Sequence, residues 1–272
     1  MKPRSGTTFL MFTTLAKATW LVNTSSADRE LVAIAHTTRI TRSPAMIRED
    51  STPNPTVKPP PEYLTIAIVN RQTVPISTSH ASNIGGPSPV WGDNGPGTIA
   101  SGVAAAVVVP TGWAGNVAIF NAGTNGSSPA PLTNSSLIEA SFVVPEGYGT
   151  AVADVDVSFV NGFSSPITCA CSGVVVTGCS HDLWDLAACP DDDNNNGACA
   201  NPLRPYLNAT TATHFFAPCQ GAAYTFPHDD GANSFAECQS GEITCCVGKD
   251  CPSNSKQIHD PQGRRLLRRV NG

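Results

Sequence analysis

All ten cysteines lie between Cys169 and Cys251, and nothing before Cys169 carries a thiol. An even number at this density reads as a disulfide framework formed in an oxidising compartment, so the chain is expected to be secreted. A zinc site is the other use of clustered cysteine, but it needs paired C-x₂-C knuckles. Here the close pairs are Cys169-x-Cys171 and the adjacent Cys245-Cys246, which do not make that pattern. Cross-links of this kind hold loops that have too little core of their own, by limiting the unfolded chain.

The residues before the framework read as strands. YLTIAIVN (63–70), VPIST (74–78), GTIASGVAAAVVVP (97–110), GWAGNVAIFNAG (112–123) and SLIEASFVVPEGYG (136–149) are short β-branched runs separated by Gly, Pro, Asn and Ser. VADVDVSFVNGFSSPITCAC (152–171) follows. It is a strand carrying Asp154 and Asp156, then an Asn-Gly turn, then the first two cysteines. No long segment shows apolar residues at helical spacing, so a bundle is excluded. The pattern predicts an all-β fold, an antiparallel sandwich or flattened barrel. Residues 172–218 are expected to be loops stapled by Cys179, Cys189 and Cys199, and EITCCVGKDC (242–251) closes the framework.

The ends differ from the body. Residues 1–61 have a basic start, a broken apolar run and a Pro-rich finish, and read as a leader or linker with little fold of its own. The domain is placed at 62–260, and 261–272 is a basic tail with two Arg-Arg pairs. No run of apolar residues is long enough to span a membrane as a helix. The formal net charge of −5 hides an asymmetry, because residues 72–251 hold fifteen Asp and Glu against Arg204 and Lys249 alone. An acidic body argues against nucleic acid, whose phosphates need a basic face. It suits solubility, or an acidic groove for a neutral or cationic ligand. Asn125, Asn134 and Asn208 begin Asn-x-Ser/Thr sequons.

Five segments, in order, resemble the thaumatin-like proteins. VDVSFVNGFSSPITC is similar to that family's D-[IV]-S-x-V-D-G-F-N-x-P motif. LTIAIVNRQTVPI (64–76) resembles its first strand, with Gln72 where the family has Cys. SLIEASF (136–142) is similar to T-L-A-E-F, and PCQGAAYTFPHDDGANSFAEC (218–238) to the motif containing Y-x-x-D-D. EITCCVG (242–248) resembles the terminal strand. The resemblance covers about 62–255 and looks closest to the fungal members. It implies a flattened antiparallel β-sandwich with disulfide-rich loop regions and an acidic cleft. It further implies disulfides Cys179–Cys219 and Cys189–Cys199, with Cys238 joined to Cys171 or Cys169. The absence of a Cys at Gln72 leaves Cys246 to pair with Cys251 or Cys169.

The family's cleft carries an Arg, a Glu and three Asp. By motif these fall on Glu139, on Asp156, on Asp229 or Asp230, and on Asn161 where the family has Asp. No basic residue stands between Arg71 and Arg204 to supply the Arg. Paired carboxylates are what glycoside hydrolysis requires, one protonated as acid and one ionised as base or nucleophile. Glu139 is the candidate acid and Asp156 the candidate base. Asn161, Tyr224, Asp229 and Asp230 are candidate sugar-binding residues. Among the aromatics, Trp91, Trp113, Phe163, Tyr224 and Phe226 are available for stacking, with core packing the expected fate of Trp113 and Phe163. The resemblance therefore implies a monomer that binds β-1,3-glucan or a similar wall polysaccharide, with weak endo-β-1,3-glucanase activity as the further step. A non-enzymatic defence or protein-interaction module is the alternative. No cofactor or metal is expected. DDDNNNG (191–197) opens like a calcium loop, but Leu203 stands where the bidentate Glu is required. His228 with Asp229 and Asp230 lacks a further ligand set.

Overall fold

The computed structural model describes residues 61–92, 97–121, 133–190 and 197–258. The basic tail, residues 1–60 of the leader, the sequon at Asn125 and most of the Asp-Asn run at 191–197 lie outside the described residues. The strands are β1 (Tyr63–Asn70), β2 (Ile76–Ser82), β3 (Gly97–Ile99), β4 (Ala104–Pro110), β5 (Trp113–Asn121) and β6 (Ser136–Val143). They continue with β7 (Val152–Ser158), β8 (Gly162–Phe163), β9 (Ile167–Cys171), β10 (Val174–Cys179), β11 (Cys199–Ala200) and β12 (Glu242–Val247). The fold is therefore mostly β, as its short β-branched runs predict. VVVTGC, expected to be loop, is β10, because its apolar run pairs back on β9 across the Ser172–Gly173 turn.

Two five-stranded sheets form, in the orders β10-β9-β12-β1-β4 and β3-β2-β5-β6-β7, with β8 and β11 making a small separate ladder. The antiparallel expectation fails at one pair, since β1 lies parallel to β12. These are the first and last strands, and the chain between them supplies the long crossover that a parallel pair needs. Period-2 alternation is plain in β1, where Leu64, Ile66 and Ile68 point inward. One buried apolar cluster draws on both sheets and includes Leu64, Val109, Trp113, Phe142, Val155 and Ile243.

The disulfide pairs follow the pleat. Cys169 and Cys245 stand opposite each other on β9 and β12 and are bonded across the strands, with Cα atoms 4.0 Å apart. Cys171, on the same face as Cys169, pairs with Cys238. Cys246 follows Cys245 directly and so faces the other way, where it pairs with Cys251. Cys179–Cys219 and Cys189–Cys199 complete the five. Gln72 donates from Nε2 to Ser165 Oγ at 3.0 Å.

The Asn161-Gly162 turn after β7 is fixed by close packing. A Cβ on Gly162 would run into the carbonyl oxygens of Asn134 and Cys199. The serines that follow are buried and bonded into the second sheet. Ser164 Oγ donates to Ile119 O, and Ser136 Oγ donates to Ser165 O at 2.8 Å. Asn201 Nδ2 donates to both Phe159 O and Thr225 O, at 2.9 and 2.8 Å. These bonds hold the loop region against the end of β7, next to the carboxylates.

Candidate functional site

The second sheet has an apolar face and a polar face, and the carboxylates follow from that alternation. On β5, β6 and β7 the inward row Val117, Ile138 and Val157 is buried. The neighbouring row faces the other way. It places Asn116 opposite Glu139 and Glu139 opposite Asp156. Directly opposed Cβ atoms lie about 5 Å apart in such a pair. One step along, Ser141 faces Asp154, which shares its strand face with Asp156. Ala114, Gly115, Glu139, Ala140, Ser141, Asp154 and Asp156 line an open hollow of about 150 Å³.

A strap from the loop region borders this hollow. β7 is an edge strand, and three of its outward carbonyls are taken. Tyr224 N donates to Val157 O at 2.9 Å, Ser234 Oγ donates to Val155 O, and Gln239 Nε2 donates to Ala153 O at 3.1 Å. The strap thus closes an edge that would otherwise pair with another chain. It also delivers functional groups, because Ser234 N donates to Asp156 Oδ1 at 3.1 Å. Asp154 Oδ1 and Asn116 Oδ1 are buried and have no hydrogen-bond partner among the described residues. Asn116 is only 6% exposed.

Burial dominates the electrostatics. Asp156 is pushed up to about 8, first by loss of solvent and then by the charge of Asp154, with Glu139 adding to it. The Ser234 amide and the Lys256 ammonium oppose the shift. Burial raises Glu139, against the hydrogen bond that it accepts from Ser158, and burial also raises Asp154. The Tyr224 phenol is raised by burial and by the charges of Asp156, Asp154, Asp230 and Glu139. All three neighbouring carboxyls are therefore shifted upward, and a carboxyl that keeps its proton both donates and accepts a hydrogen bond.

Of the residues that the sequence proposes, the structure brings together Glu139, Asp156 and Tyr224, with Asp230 exposed within reach of Tyr224. Asp229 does not join them and is a correction. It is 4% exposed, and its oxygens accept from Gly221 N, Thr225 N and Thr225 Oγ1, so it clamps a turn. Asn161 lies past the end of β7, where its carbonyl accepts from Asn201 N, and it does not line the hollow. Asp156 is pushed up to about 8, which suits it to hold a proton rather than to take one as a base. Trp113, Phe163 and Phe226 are core residues, and Trp91 sits beside Val108 of β4 in the other sheet.

Sequence reasoning gave no role in the site to Asp154, Asn116, Ser234 or Lys256. Asp154 was detectable, since residues i and i+2 of a strand share a face. Asn116 and Ser234 needed the strand register and the strap. Lys256, whose Nζ donates to Gly231 O at 3.2 Å, is a cation that acts on Asp156 although it lies far away in sequence. Among the described residues no group of three or more His, Cys, Asp or Glu is arranged to hold a metal ion. No helix among them is long and apolar enough to cross a membrane.

No protein-family model matches the chain, and no curated protein matches it.

Proposed function

We propose that the chain is a secreted thaumatin-like protein whose acidic hollow binds β-1,3-glucan or a similar wall polysaccharide without cleaving it. The observation that carries this is the row Asn116, Glu139, Asp156 with Asp154 beside it, raised toward neutrality and holding two unpartnered buried oxygens. Neutral carboxyls and an amide exchange hydrogen bonds with sugar hydroxyls, and a bound hydroxyl would satisfy Asp154 Oδ1. A cation would instead need ionised carboxylates, which the burial here disfavours. The five ordered motif matches, the five disulfides and the mostly β fold support the family and the oxidising compartment.

Binding is favoured over hydrolysis for an electrostatic reason. A glycosidase needs environments that push two carboxyls apart, one protonated and one ionised. Here burial moves Glu139 and Asp156 in the same direction rather than apart. The test is co-pelleting with insoluble β-1,3-glucan, with reducing-end release measured on the same samples. Wild-type protein is expected to pellet without releasing sugar, and to release its hold as pH rises through about 8. Sugar release that is lost in Glu139→Gln would overturn the non-catalytic form. Failure to pellet would overturn the carbohydrate reading. It would favour the interaction module, for which Ile84, Val90 and Trp91 are exposed apolar side chains, Ile84 at 80% exposure.

A further inference from the structure

We infer that Tyr148 and Phe235 form an aromatic stacking subsite that extends the hollow and takes a second sugar ring of the same polysaccharide. This rests on the carbohydrate reading of the hollow and adds the extent of chain that it recognises. Tyr148 lies in the turn between β6 and β7, and Phe235 lies in the strap, so 87 residues separate two rings that meet edge to face at 6.1 Å. Both are large exposed side chains, at 51% and 42%. Paired aromatics usually bury their faces in a core, and here they are left open to solvent.

Their position ties them to the carboxylates. Phe235 directly follows Ser234, whose amide holds Asp156. Tyr148 sits in the turn that begins after the Val143–Val152 pair, and Val152 is two residues from Asp154, about 7 Å along the strand. The Phe235 backbone is set by its own N–H, which donates to Asn233 Oδ1 at 2.7 Å. Ala236 beyond it is held at φ 66°, a left-handed conformation that disfavours a side chain and persists where surroundings impose it.

The occupant follows from the chemistry around the rings. Glu146 and Glu237, each two positions away in sequence from one of the rings, are exposed, so an anionic membrane surface or nucleic acid would be repelled. A neutral pyranose ring presents an apolar face to an aromatic ring and hydroxyls to its surroundings. A chain whose one residue hydrogen-bonds to Asp154 and Asp156 would lay a neighbouring residue over this pair.

The experiment is titration of full-length protein with a β-1,3-linked glucose disaccharide and hexasaccharide, followed by calorimetry and by NMR. Tyr148→Ala and Phe235→Ala are each expected to weaken the hexasaccharide roughly fivefold to tenfold, the size of an aromatic contact. The disaccharide is expected to be unaffected, and Tyr148→Phe and Trp91→Ala to bind as wild type. Tyr148→Ala lies outside the strap, so it keeps the test valid if Phe235→Ala unseats Ser234. Wild-type binding that neither alanine variant changes overturns the subsite alone. A wild-type protein that binds neither sugar overturns the carbohydrate reading and the subsite with it.

Discussion

Replacing Asp156 by Asn should make the protein more stable at alkaline pH while leaving it unchanged at acid pH. Folded Asp156 keeps its proton to about 8, whereas an unfolded chain releases it near the ordinary 3.8. Between those values the unfolded state binds fewer protons, so stability falls as pH rises and levels off above about 8. One pKa unit is worth about 1.4 kcal/mol, which sets an upper limit of about 5–6 kcal/mol across this window. The hollow is open, and water reaching an ionised Asp156 restores part of its solvation, so the expected loss is roughly 2–3 kcal/mol. For a domain near 200 residues this is about 5–10 °C in Tm. Thermal unfolding of the oxidised protein, followed by near-UV circular dichroism at about pH 3 and about pH 8.5, measures it. Histidines titrate in the same window, and the comparison with Asp156→Asn removes their contribution. The variant keeps an oxygen to accept from Ser234 N, so it is expected to match wild type at the lower pH and to exceed it at the higher. An unchanged pH slope in the variant, or a wild type that gains stability with alkalinity, would refute the electrostatic account of the hollow.

Three further outcomes are expected. Removing Cys169–Cys245 should cost about 3 kcal/mol in urea unfolding, because Cys171–Cys238 already closes most of its loop and leaves roughly ten residues, against about 2 kcal/mol for Cys246–Cys251, separated by five, on the chain-entropy account. Asp229→Ala should lower stability by about 3 kcal/mol, because Gly221 N, Thr225 N and Thr225 Oγ1 lose their acceptor, while glucan co-pelleting per folded molecule stays unchanged. Gly178→Ala should destabilise by more than about 2 kcal/mol in the same urea assay, since φ there is +100° and its Cβ would strike Ile167 O across the β9–β10 pair.

Much of the site was legible on its own strand. Asp154 and Asp156 alternate with Val155 and Val157, so a strand at this position must put both carboxyls on the face opposite the apolar row. Glu139 is similarly placed within β6 by its neighbours Ile138 and Ala140. The partners of these groups were not legible, because register is a property of two strands at once. That Glu139 stands opposite Asp156, rather than one step away on the far face, depends on how β6 and β7 align. The misjudged Asp229 shows the same limit. Two adjacent aspartates look equivalent in sequence, yet the turn buries Asp229 against three donors and leaves Asp230 exposed.

The sequence by itself determined the β character, the acidic body, the oxidised cysteine region and which face each strand residue takes, since all of these depend on composition and a two-residue period. Tertiary structure alone decided that the first and last strands lie parallel and that Cys169 meets Cys245. It also brought Ser234 and Lys256 up to a hollow begun by residues far earlier in the chain. The physical reason is that burial is collective. A carboxyl on a lone strand is solvated and acidic, and only the packed sheet with its strap removes the water that raises Asp156 to about 8.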